Sequence, residues 1–172
     1  MVIRCCFHFR GSVNGATFVP PLEKTLRTAI LVDGFRETPS IRVFPAGWSD
    51  AVAKFRPAVI AAPLHYLRKL AAQAQSLMPG HAVIAFTGDA AVGVSDSDRN
   101  LFWQAFGVPV FEQYLGTRNE LLAAECEAHA GLHVVSGCGH LPVDRTRCAC
   151  GNASPRVVRA LPIPVLEPAL VS

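Results

Sequence analysis

Two apolar runs, Ala58 to Ala62 and His81 to Phe86, constrain this chain more than any other feature. A strand with one wet face alternates apolar and polar residues, whereas an unbroken run fits a strand buried on both faces. Between them, Pro63 opens a segment with Leu64, Leu67, Leu70, Ala71 and Ala74 at helical spacing. Arg68, Lys69 and Gln73 fall on its other side, and Pro79-Gly80 stops it. After the second run comes the turn Thr87-Gly-Asp89. Ser95, with Asp98 three residues on, then predicts a capped helix through Leu101, Phe102 and Ala105 to Gly107, and Val108 to Phe111 is a third strand. Strands and helices in alternation with short connections imply parallel pairing and right-handed crossovers. The expected fold class is therefore α/β, a partly parallel sheet flanked by helices. In such sheets ligands lie past the C-terminal ends of the strands. Here those ends are Ala62-Pro63, Thr87-Gly-Asp89 and the stretch from Glu112 to Glu120.

Upstream, Cys5, Cys6 and His8 lie in an apolar stretch that reads as a buried strand, followed by a turn from Gly11 to Thr17 that reads as an ordinary loop, the alternative being a phosphate cradle before a helix. That loop lacks the Gly-Lys-Ser/Thr ending of a P-loop. Apolar residues at Leu22, Leu26, Ala29 and Ile30, behind Pro20-Pro21, predict a helix from Leu22 to Val32. Ile41 to Phe44 reads as a short strand. We expect residues 1–158 to form a single α/β domain. Residues 159–172 are an apolar tail whose proline spacing forbids a helix, and which can lie extended along the domain or against another chain.

Composition narrows the function classes. The 172 residues are 51% hydrophobic and 17% charged, which provides a generous core and spare apolar surface for self-association or a partner protein. A net charge of +3, spread over single basic residues, is not the footprint of a nucleic-acid binder. No apolar run approaches the roughly 20 residues that span a bilayer. The first residues lack a signal-peptide pattern, and thiols clustered with histidines favour metal over disulfides, so a cytoplasmic protein is expected.

Several of these segments together resemble phenylacetate–coenzyme A ligases, a family of adenylate-forming enzymes. The resemblance covers roughly residues 55–158. Phe55 to Leu70 looks like the strand and helix that precede the family's active site. Thr87-Gly88-Asp89 falls where the family has a Gly-Glu turn beside the adenine. Phe106 to Glu120 falls where it has a Tyr-Gly-x-Thr-Glu motif. Ala124-Glu-Cys-Glu, Gly131-Leu-His-Val, Cys148-Ala-Cys-Gly and Pro155-Arg156 follow in the family's order. The resemblance implies nucleotide-site roles for Gly88, Asp89, Tyr114, Gly116, Thr117 and Glu120. ATP with magnesium, coenzyme A and a carboxylic acid would be the ligands, the threonine and glutamate touching phosphate and magnesium.

The departures are equally specific. Leu115 and the pair Arg118-Asn119 are insertions in the signature turn. The family's phosphate loop, its ribose-binding aspartate and its lid lysine have no match. The expectation is a truncated, degenerate relative that is not catalytic alone, and no catalytic residue is assigned. Such a chain can keep ligand binding, serve as a subunit, or be a non-catalytic interaction module. The ordinary alternative for the signature stretch is a strand-to-helix turn with Tyr114 packed and Glu120 solvated.

The cysteines and histidines point to a structural zinc, which takes four thiolate or imidazole ligands tetrahedrally. Cys126, His133, Cys148 and Cys150 supply such a set, and Gly151 permits a tight turn behind the second cysteine pair. His129, Cys138 and His140 are spare groups that can each replace a member. The resemblance favours the first set. This region is expected to be irregular backbone tied down by the metal.

Overall fold

The computed structural model describes residues 15–20, 26–73, 79–88, 93–136 and 141–157. Cys5, Cys6, His8, Asp89, Cys138, His140 and the tail lie outside these residues.

Five parallel strands form one half of the sheet: β1 (Thr28–Ile30), β2 (Ile41–Val43), β3 (Val59–Pro63), β4 (Ala82–Thr87) and β5 (Val110–Leu115). Three helices separate them: α1 (Asp50–Phe55), α2 (Leu64–Gln73) and α3 (Asp96–Phe106). The other half is antiparallel: β6 (Leu121–Glu125), β7 (Leu132–Val134), β8 (Val143–Asp144) and β9 (Arg156–Val157). All nine strands join one sheet, in the order β2-β1-β3-β4-β5-β6-β7-β9-β8.

The two apolar runs are the central strands, and every residue of β4 is buried. Ala29, Ile60, Val83 and Ala85 face the helices, where Val52, Leu67, Phe102 and Phe106 close the core. Ile30, Ala61, Ile84 and Phe86 face the other way, under Phe18 and Phe35. There the Phe35 ring stacks on Phe86 with centroids 5.1 Å apart. The β1–β2 crossover therefore runs over one face while the helices cover the other, as crossovers of a single hand require. The chain leaves β1 and β3 towards opposite faces, which opens a crevice beyond their C-terminal ends.

The capped helix forms as its sequence predicts. The Ser95 side chain accepts from the Asp98 N–H, the Asp98 carboxylate accepts from the Ser95 N–H, and Gly107 closes the helix at φ 66°. Arg68 of α2 reaches the same carboxylate through two bonds of 2.7 and 2.8 Å. One aspartate thus caps α3 and ties it to α2.

Three expectations need correction. The helix expected over Leu22 to Val32 is contradicted at Thr28–Ile30, which pairs with both β2 and β3. Thr-Ala-Ile-Leu-Val is a β-rich run buried between two partners, and tertiary pairing overrides its accidental helical spacing. The stretch after β5 leads not to a helix but into an antiparallel hairpin, with Tyr114 opposite Ala123. The C-terminal part is not irregular: β6, β7, β9 and β8 extend the sheet. Strands of two to five residues are too short to show a period.

Candidate functional site

The antiparallel wing brings Cys126, His133, Cys148 and Cys150 together. One ligand atom from each lies within 4.8 Å of all the others. Cys126 follows β6, His133 sits on β7, and Cys148 and Cys150 come from the β8–β9 connection. Three backbone segments that meet only through strand pairing thus converge on one point.

The distances can be tested against a tetrahedral ion. With bonds of about 2.3 Å to sulfur and 2.05 Å to nitrogen, two sulfurs should lie about 3.8 Å apart and sulfur and nitrogen about 3.6 Å. Cys126 Sγ and Cys148 Sγ are 3.7 Å apart, and Cys150 Sγ and His133 Nε2 are 3.4 Å apart. The donor set fits a four-coordinate metal ion.

The surroundings fit as well. His133 Nδ1 lies 3.2 Å from the Ser154 carbonyl, so that nitrogen carries the proton and Nε2 is left to bind. Each sulfur also has a backbone N–H from two residues on: Ala128 for Cys126, Cys150 for Cys148 and Asn152 for Cys150. Three such donors stabilise negative charge on sulfur. The Cys150 N–H, with help from His133 and the other thiols, holds the Cys148 thiol down to about 6. Burial, in contrast, pushes the Cys126 thiol up to about 11. Gly151 turns at φ 84° and its N–H donates to the Cys148 carbonyl, closing the loop that aims both sulfurs.

His129 does not join this set. Its Nδ1 lies 2.9 Å from Glu125 Oε1, and its ring stacks on Phe111. Glu125 is buried and also accepts from Arg99 Nη2 at 2.6 Å and from the Glu112 N–H at 2.9 Å. Immediately before Cys126, it fixes to β5 and α3 the start of the turn that carries this cysteine. Sequence reasoning missed this network, because an acid between Ala124 and Cys126 carries no sign of its partners. The alternating burial of Leu121 to Glu125 that turns this acid inward is seen only in the structure.

The second candidate is the crevice at the C-terminal edge of the parallel strands. Gly88 and Gly116 line one cavity of about 160 Å³ with Pro63, Thr87 and Asn119. An adjoining cavity of about 430 Å³ is walled by His65, Arg68, Thr87 and Gly88. Two of the nucleotide-site residues implied by the resemblance therefore border one space. Asp89 lies outside the described residues, and Tyr114, Thr117 and Glu120 do not line that space. Tyr114 is buried against Ala123, Leu132 and Val157, and Thr117 and Glu120 are exposed on the hairpin turn. Glu120 folds back to accept from the Arg118 N–H at 2.8 Å, and its carboxylate lies where a side chain on Gly116 would stand.

Asn119 has a structural role. It adopts φ 59°, which asparagine tolerates better than most residues. Its amide donates to the Asp33 carbonyl at 3.2 Å, passing where any Cβ on Gly34 would sit. The hairpin is thereby latched across the crevice mouth to the β1–β2 crossover. Beneath it, Glu112 accepts from Thr87 Oγ1 and from the Val94 N–H, fixing the rim on the β4 side.

Among the described residues, no helix is long and apolar enough to cross a membrane. Searches against models of known families and against curated proteins found no match to this chain.

Proposed function

We propose that this protein is a degenerate relative of phenylacetate–coenzyme A ligases that has kept a ligand-binding crevice but not the chemistry. In this reading the Cys126, His133, Cys148 and Cys150 set holds a structural zinc. All four positions are filled by protein ligands, so none remains for water or substrate. Zinc would hold β7 and the β8–β9 connection together, and β7 in turn holds β6, whose hairpin closes the crevice. The metal therefore serves ligand binding through the fold.

One observation carries the reading. Gly88 and Gly116 face one cavity at the end of the parallel strands, while Thr117 and Glu120 stand exposed outside it. In this reading the two adjoining cavities together give room for a nucleotide or acyl group, while the residues that would hold phosphate and magnesium stand on the exposed turn. Titration calorimetry with ATP, coenzyme A and a non-hydrolysable acyl-adenylate analogue tests this. We expect saturable heat with at least one of them and no ATP–pyrophosphate exchange with carboxylic acids. Sustained exchange refutes the loss of chemistry, and no heat with any ligand refutes the retained site.

The second reading is a non-catalytic zinc-stabilised interaction module. Trp103 favours it, standing 59% exposed on α3. Stable self-association weakened by Trp103→Ala, with no ligand heat, selects this reading.

A further inference from the structure

At the opposite edge of the sheet, where β1, β3 and β4 begin, lies a cavity of about 440 Å³. That volume suits a small ligand. Arg27, Arg56, Trp48, Pro57 and the buried Ile60 are among the residues that line it. Arg27 makes no ion pair among the described residues. Its guanidinium instead rests over the Phe55 ring, 5.9 Å from the centroid. That contact orients the group, and its N–H donors have no acceptor among the described residues. Arg56 likewise has no acidic partner among the described residues.

The backbone at Arg56 is the second observation. It occupies the left-handed region, with φ 49° and ψ 63°, at the C-cap of α1. Glycine is the usual residue there, because a Cβ is penalised. Pro57 follows, and a proline pushes its predecessor towards extended backbone. A long cationic side chain held at such a position is costly, and such costs cluster where a side chain has a task. Trp48 is also placed deliberately. Its backbone N–H donates to the Tyr66 hydroxyl at 2.8 Å, and a Cβ on Gly47 would collide with that oxygen. Gly47 thus leaves room for the hydroxyl that anchors the tryptophan backbone.

We propose that this cavity binds a phosphate monoester carried on a flat ring. Two guanidinium forks match the oxygens of a dianion, and the indole and proline walls match a ring. The site lies on the other edge of the sheet from the crevice and does not depend on the ligase reading.

The test uses the full chain carrying Trp103→Phe, so that Trp48 reports alone. Phenyl phosphate, inorganic phosphate and benzyl alcohol are titrated by fluorescence and calorimetry. Phenyl phosphate should bind saturably and more tightly than either fragment. Arg27→Gln and Arg56→Gly should each weaken it about tenfold or more, as loss of a charge-assisted bond implies. Arg42→Gln, paired with Glu37 elsewhere, should not. Arg56→Gly should meanwhile leave the melting temperature unchanged or higher, since glycine relieves the backbone, and that separates binding from folding. Absence of phenyl phosphate binding, or binding that survives both substitutions, overturns the proposal. Inorganic phosphate binding equally well overturns the ring, and benzyl alcohol binding equally well overturns the phosphate.

Discussion

Replacing Glu125 by alanine should destabilise the protein more than any surface substitution, although Glu125 lines neither candidate site. The side chain is almost fully buried and accepts from the Glu112 N–H at 2.9 Å and from Arg99 at 2.6 Å. A buried N–H left without an acceptor costs about 1–3 kcal/mol. Losing one partner of a fully buried ion pair costs about 3–5 kcal/mol. Arg99 is 29% exposed at its side chain, so water recovers part of that second cost. Together these put Glu125→Ala at about 3 kcal/mol, a fall of roughly 6–12 °C in melting temperature for a chain of this size. Glu125→Gln keeps the acceptor for Glu112 and loses the charge, so it should cost less than half as much. Urea unfolding of the three proteins, followed by circular dichroism with metal saturating, measures both. A cost below about 0.5 kcal/mol for Glu125→Ala, the level of ordinary surface changes, would refute the argument that this carboxylate joins the wing to the core.

Asp98 predicts an acid response. Its bonds to Arg68 hold its carboxyl well below the usual carboxylate range in the folded state. A depressed folded value stabilises the protein above the unfolded value near pH 4, an advantage lost as pH falls through and below it. Asp98→Asn should therefore flatten the stability profile between about pH 5 and 2, measured by urea unfolding at stepped pH. Gly47→Ala should cost about 2 kcal/mol or more, because φ is +80° and the new Cβ meets the Tyr66 hydroxyl. Tyr66→Phe in that background should recover part of the loss in a thermal melt. Asn119→Gly keeps the turn but loses the bond to Asp33, so the hairpin amides should exchange faster with little change in global stability. Asn119→Val, which disfavours φ 59°, should cost more in the same hydrogen-exchange experiment.

The parallel half of the fold was legible because its signals are local. Unbroken apolar runs, a proline-led amphipathic helix and the Ser95–Asp98 box each sit within a few residues of one another. What escaped depended on distant partners. Thr28–Ile30 becomes a strand because β2 and β3 flank it. β9 exists because Val157 meets Leu132 and Val143, both far away in sequence. For the metal cluster, residue types offered seven candidates and the resemblance favoured four of them, and the structure brings those four together. It alone shows that His129 serves Glu125 instead. The crevice was legible in position, at the ends of the parallel strands, but not in composition. Arg118 and Asn119 were expected to be insertions that spoil a motif, yet in space Asn119 supplies the latch to Asp33.

The most direct test of the central claim is elemental analysis of the purified full chain, beside Cys148→Ser and a His129→Ala control. The account predicts one zinc per chain, retained in His129→Ala and lost in Cys148→Ser. Amide protection should vanish with it from β7 and β9 while β3 and β4 stay protected. A wild-type chain without stoichiometric metal, or zinc that survives Cys148→Ser, would contradict it.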